Sequence, residues 1–194
     1  MSNTVEIEAK MLINEKEYEK VVKSLCKNGT KEIVQTNYYL DTEDLNLEHY
    51  GLGLRIREKD NLYEFTLKAP LSEGLLEKTI ILSDDEFFEI LNGQNRMNSV
   101  FDFLLMLGFD INNIHVLSKL TTHRYECEYK NGILCVDKNF YDNKVDYELE
   151  FEHNSMNHAL EGLKQFCEEC GINHPFNKIS KHQRAMQEYK NKKK

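Results

Sequence analysis

The sequence predicts an α+β fold: an eight-stranded antiparallel β barrel or tunnel with flanking helices. Three observations predict it. Eight segments alternate apolar and polar residues with the period of a strand. Tight turns, not long crossovers, join several of them, which requires antiparallel pairing. Helical periodicity is confined to short stretches at three places between strands and at the end.

Taken in order, Val5, Ile7, Ala9, Met11 and Ile13 fall on one face of a first strand, with Glu6, Glu8 and Lys10 on the other. Asn14 and Glu17 make a capping pattern, Tyr18, Val21, Val22 and Leu25 recur at helical spacing, and Gly29 is a stop. Strands follow at about 33–41, 52–59, 62–69 and 75–82, with Lys59-Asp60-Asn61 as a hairpin turn. Ser83 and Glu86 open a helix that ends at Asn92-Gly93, and another runs over about 98–107 to Gly108. Three long strands, about 116–129, 132–139 and 144–153, turn first at Asn131-Gly132. Asn154 or Ser155 caps a helix carrying Ala159, Leu160, Leu163, Phe166 and Cys167, and a last helix lies near 178–189. Two prolines and no Ser/Gly linker predict a single domain over 1–189, followed by a solvated, frayed lysine-rich tail at 190–194.

Composition excludes several functions. With 33 acidic against 25 basic residues the formal net charge is −8, which argues against a nucleic-acid partner. No apolar run approaches the roughly 20 residues of a membrane span, and the opening MSNTVEIEAK has no apolar signal core. Five scattered cysteines predict a reduced, cytoplasmic protein. Cys167 and Cys170 form one CxxC without a second pair, so buried thiols on a helix face are preferred to a zinc site. The seven histidines form no HExxH. Gly51-Leu52-Gly53 runs into a strand and lacks a third glycine, so it is not a dinucleotide fingerprint.

The informative feature is the charge opposite the apolar faces. It comprises Glu6, Glu8 and Lys10; Arg55 and Arg57; Glu64, Thr66 and Lys68; Thr122, Arg124, Glu126 and Glu128; and four acids at period two within 146–152. A solvated outer face would give the same alternation on any one strand. Like charges aligned on a strand are costly without a partner. Acidic strands alongside basic ones are what a shared interior site needs: carboxylates for a hard divalent cation, guanidinium and ammonium groups for an oxyanion.

Glu6-Ile7-Glu8-Ala9-Lys10 resembles the ExExK signature of the CYTH superfamily, the triphosphate tunnel metalloenzymes. Asn37-Tyr38-Tyr39-Leu40-Asp41-Thr42, Leu54-Arg55-Ile56-Arg57, Thr66-Leu67-Lys68, Glu77-Lys78-Thr79, His123-Arg124 and Tyr147-Glu148-Leu149-Glu150 follow in the family's order, and Ser180-Lys181-His182-Gln183-Arg184 resembles its C-terminal helix motif. The resemblance spans about residues 5–187 and is nearest to the small single-domain members of low-GC Gram-positive bacteria, often labelled adenylate cyclases. It implies an eight-stranded tunnel that binds a triphosphate with Mg²⁺ or Mn²⁺. It assigns metal ligation to Glu6, Glu8, Glu148 and Glu150. It assigns phosphate binding to Lys10, Arg55, Arg57, Lys68, Arg124 and Lys181. Tyr39 matches a tyrosine that pairs with the ExExK lysine in some members. One departure stands at Thr122-His123-Arg124, where members often carry a further lysine or arginine, so a fixed cation is missing.

The expected activity is metal-dependent hydrolysis of a small-molecule triphosphate, with inorganic tripolyphosphate first and nucleoside or thiamine triphosphate as further substrates. Phosphoryl transfer is mostly positioning and electrostatics. Glu64 or Glu77 would orient the attacking water, and the sequence does not choose between them. Lys10 would act as a base only if cationic neighbours depress its pKa. Asp137 shares a strand face with Ile133 and Cys135 and ranks below the other acids as a site residue; Arg184 is expected to be structural. The alternatives are a class IV-type adenylate cyclase, or a polyphosphate- or nucleotide-binding module without turnover. Four metal carboxylates argue for turnover, since anion binding needs only the basic half. Oligomeric state is not legible in the sequence, a homodimer being one option.

Overall fold

The computed structural model describes residues 2–27 and 29–193. Nine strands and six helices follow in the order β1 (Ser2–Glu6), β2 (Glu8–Ile13), α1 (Glu15–Lys27), β3 (Glu32–Thr42), α2 (Asn46–His49), β4 (Gly53–Lys59), β5 (Leu62–Pro70), β6 (Leu75–Leu82), α3 (Asp84–Leu91), α4 (Ser99–Met106), β7 (Ile114–Tyr129), β8 (Gly132–Tyr141), β9 (Lys144–Glu152), α5 (Met156–Cys170) and α6 (Lys181–Lys192). The α+β class with an antiparallel sheet and flanking helices is as the sequence predicts. The ninth strand arises because the first run breaks at Ile7 into β1 and β2. These two halves take the opposite ends of the sheet order, β1-β6-β5-β4-β3-β7-β8-β9-β2. The short α2 and a 3-10 turn at Ile111–Asn113 were not expected.

The chain packs as two compact units. The first is built from Thr36–Leu120, the N-terminal residues up to Val5 and the C-terminal residues from His182. Its sheet core is the antiparallel series β3–β4–β5–β6. Alternation places Leu54, Ile56, Phe65 and Leu67 on one face, where they pack with Phe87 and Ile90 of α3 and Val100, Phe101 and Leu104 of α4. The Tyr63 and Phe87 rings stack at 4.0 Å. Ser83 and Glu86 form the expected capping box at the start of α3. The β4–β5 hairpin turns on Asp60 and Asn61, both left-handed, as a two-residue turn between twisted strands demands. Helix α6 continues beyond the expected boundary at 189, and Lys190 pairs with Glu48 at 2.9 Å.

The second unit is built from Glu6–Gln35 and Thr121–Lys181. Here β8–β9–β2 is antiparallel, so the first long strand run lies beside the last. Ala9, Met11, Ile13, Leu134, Val136, Leu149 and Phe151 form its apolar face, covered by Tyr18, Val21 and Leu25 of α1 and Ala159, Leu163 and Phe166 of α5. Cys167 of the CxxC is buried here, its thiol against the Met11 sulfur. The β7–β8 turn is formed by Lys130 and Asn131, both left-handed, one residue earlier than the sequence suggested. Gly132 instead makes room for Phe151, as does Gly162 on α5: a Cβ at Gly162 would lie 2.1 Å from Phe151 Cε1.

Gly162→Ala therefore sets two effects against each other. Helix propensity favours alanine by about 1 kcal/mol. Overpacking a buried phenylalanine costs about 1–3 kcal/mol or more. The phenylalanine is 1% exposed and has nowhere to move, so the overpacking wins. Urea unfolding should show a net loss of about 1–2 kcal/mol; a gain would mean Phe151 is looser than its packing indicates.

Candidate active site

The face opposite the apolar core of the second unit is densely charged and largely buried. Register fixes its rows: Glu8 lies opposite Glu152, Lys10 opposite Glu150, and Glu148 opposite Asp137. Two arrangements result.

The first is a carboxylate trio. One oxygen from each of Glu6, Glu8 and Glu152 lies within 4.8 Å of the others. Burial raises the Glu8 carboxyl to about 7, reinforced by Glu150, although the Lys10 ammonium hydrogen-bonds to it. Burial raises Glu152 as well. An all-oxygen donor set in which Glu8 and Glu152 resist ionising fits a hard divalent cation. Of the four acids expected at a metal, Glu6 and Glu8 belong to this trio. The third member, Glu152, was not singled out, although it continues the period-two acidic run of β9.

The second is a buried ion-pair cluster. Arg124 donates to Asp137 through Nε at 2.8 Å and Nη2 at 2.7 Å, and to Glu150 at 2.6 Å. Lys181 pairs with Asp137 and Glu148, each at 2.9 Å, and with Glu150. Asn177 donates to Glu148 at 3.0 Å. Burial alone would raise the Glu150 carboxyl, but Lys181, Arg124 and Lys10 outweigh it and hold it well below the carboxylate range. Burial opposes the charge on Lys181 and Arg124, and their carboxylates hold both well above their ordinary values. Glu148 and Glu150 are thus engaged by cations, and Asp137, ranked low from the sequence, is the central acceptor. Beside Arg124, the Thr122 hydroxyl donates to Asn139 at 2.7 Å.

Lys10 does not meet the condition for a base. Burial would lower its pKa, but its neighbours Glu8 and Glu150 are carboxylates and raise it.

The first unit carries the basic strands. Arg55 and Arg57 of β4, Glu64, Thr66 and Lys68 of β5 and Glu77 and Thr79 of β6 share one face, opposite its apolar core. Lys68 pairs with Glu77 at 2.6 Å, and Arg55 Nη2 lies 3.7 Å from the same carboxylate. Arg57 donates to Asn37 at 3.3 Å and lies 3.9 Å from Glu64, whose side chain is 43% exposed. The Arg55 Nε is buried without a hydrogen-bond acceptor among the described residues. Both candidate water-orienting acids, Glu64 and Glu77, sit here beside cations. Tyr39, opposite Arg55 in register, packs its ring against His182 at 4.9 Å.

One unit thus carries an oxygen-ligand trio, and the other a basic face on its sheet. The chain belongs to the CYTH domain family, whose model matches residues 4–182. It is 31% identical over 172 residues to YjbK of Bacillus subtilis, named as a candidate triphosphatase, covering 89% of this chain and 90% of that one. A crystal structure of a candidate adenylate cyclase from Bacillus halodurans superposes with a TM-score of 0.85 at 33% identity, over 95% of this chain and 98% of that one. A protein from Hippeastrum, described as a candidate adenylyl cyclase with dominant triphosphatase activity, shares the fold with a TM-score of 0.76 at 21% identity, over 96% of each chain. No helix among the described residues is long and apolar enough to cross a membrane.

Proposed function

We propose that the chain is a divalent-metal-dependent triphosphatase, with inorganic tripolyphosphate as its first substrate. The observation that carries this reading is the Glu6, Glu8 and Glu152 trio, a cost to the fold that a bound cation would repay. These residues would hold Mg²⁺ or Mn²⁺, which would neutralise phosphoryl oxygens and acidify a bound water. Arg55, Arg57 and Lys68 would bind phosphate oxygens, with charge-assisted bonds of the kind the unaccepted Arg55 Nε calls for. Glu77 holds Lys68 in place, and Glu64, the more exposed acid beside Arg57, would orient the attacking water. Arg124 and Lys181 would act by fixing Glu148 and Glu150, and Lys10 by holding Glu8 at the trio. The similarity to a candidate triphosphatase at 31% identity supports hydrolysis over binding alone. Phosphate and pyrophosphate release from tripolyphosphate, ATP and thiamine triphosphate tests the reading. Cyclic AMP from ATP as the sole product would replace it with a cyclase.

The trio also predicts the pH dependence of metal binding. A carboxyl at about 7 is half protonated at neutrality, so protons compete with the cation. Because the folded-state pKa is raised, the group favours the fold below its ordinary pKa and loses that contribution as pH rises through about 7. A cation restores it. Mn²⁺ should bind about tenfold more weakly at about pH 6 than at about pH 8, with proton release on binding. Titration calorimetry in buffers of different ionisation enthalpy measures both; a pH-independent affinity would separate Glu8 from the metal.

A further inference from the structure

Gly53 has no backbone reason to be glycine. It begins β4 without a left-handed φ, and a side chain there would point onto the basic face, in the row Gly53, Lys68, Glu77. That place is filled from elsewhere. The imidazole of His182, on the first turn of α6, occupies it: a Cβ at Gly53 would lie 3.3 Å from His182 Nδ1 and 3.8 Å from the Lys68 Cβ. Tyr39, in the adjacent row with Arg55, supports the ring from the side at 4.9 Å. The missing side chain of one strand thus delivers a histidine into a line of phosphate-binding candidates.

The His182 ring carries an unmet hydrogen bond. Its Nε2 is buried and has no partner among the described residues. Arg55 Nε, on the same face, is in the same condition. Buried polar atoms without partners cost about 1–3 kcal/mol each, and both atoms on this face are open to an acceptor. The surroundings also set the charge of the ring. Burial, with Lys68, Arg55 and Lys190 acting against the opposing Glu48, lowers its pKa to about 4, so the ring is neutral at physiological pH and can donate from Nε2.

We propose that His182 is a substrate-contacting residue, donating from Nε2 to a phosphoryl oxygen of the triphosphate beside Lys68 and Arg55. The inference rests on the triphosphatase reading and deepens it. A neutral imidazole adds a directed bond where a further cation would be repelled by Arg55 and Lys68, and Gly53 is the residue that admits it.

The test uses the full chain, inorganic tripolyphosphate and excess chelator, so that binding is read without turnover. His182→Ala should weaken tripolyphosphate about tenfold, the scale of a hydrogen bond to a charged group. His182→Gln, which keeps an N–H donor, should recover most of that loss. In the wild type, the Nε2 resonance of His182, assigned by its absence from the His182→Gln spectrum, should shift on tripolyphosphate addition. That measurement needs only a folded His182→Gln for the assignment and stands even if His182→Ala folds poorly. Unchanged affinity in a folded His182→Ala protein, or a resonance that does not move while the wild type binds, overturns the inference and leaves the triphosphatase reading intact. A wild type that neither binds nor cleaves tripolyphosphate overturns both.

Discussion

Asp137→Ala should lower the unfolding free energy by about 3–5 kcal/mol, the largest stability loss expected from any one charged residue here. The carboxylate is fully buried and accepts twice from Arg124 and once from Lys181. Its removal leaves Arg124 and Lys181 sharing Glu150, with a desolvated donor unmet on each. Asp137→Asn keeps the shape and removes only the charge, so its cost isolates the electrostatic part. The pair Arg124→Met with Asp137→Leu should recover part of the loss, because a buried ion pair replaced whole by apolar groups costs less than one broken. Chemical denaturation measures all three; a loss below about 1 kcal/mol for Asp137→Ala would mean the cluster is wetter than its burial shows.

Glu8→Gln should reduce tripolyphosphate hydrolysis by at least about a thousandfold while tripolyphosphate binding under chelator survives. The substitution keeps the side chain's size and removes the one trio member that is also nearest Lys10. The fold should gain slightly at neutral pH, since the variant no longer ionises a carboxyl that burial opposes. Lost binding in a folded variant would move Glu8 from the metal to the phosphate; full turnover would move the metal elsewhere.

Much of this was legible in the sequence because a strand's faces follow from period two alone. The charged set Glu8, Lys10, Arg55, Arg57, Lys68, Arg124, Glu148 and Glu150 could be placed opposite the apolar core without knowing any pairing. What period two cannot supply is register and reach. Glu152 joins Glu8 only because β2 and β9 pair in that register, and Glu6 completes the trio. Asp137 looked ambiguous beside Ile133 and Cys135; its role appears only when Arg124 and Lys181 converge on it from β7 and α6. The α2 turn escaped notice because its organiser is distant in kind. Buried Asp41 accepts the Leu47 and Glu48 amides, and Leu45 takes a left-handed conformation that no local motif announced. Gly53 stands in the sequence only as part of an incomplete nucleotide fingerprint, since a glycine kept for a neighbour's side chain has no signature along the chain.

As proposed above, a carboxylate-held metal would be required for cleavage of the phosphoanhydride. The most direct measurement is phosphate release from inorganic tripolyphosphate by the wild-type chain with Mg²⁺, with Mn²⁺, and with chelator in excess. The account predicts turnover with either metal and none with chelator, restored when metal is returned. Hydrolysis that persists undiminished in excess chelator would contradict it.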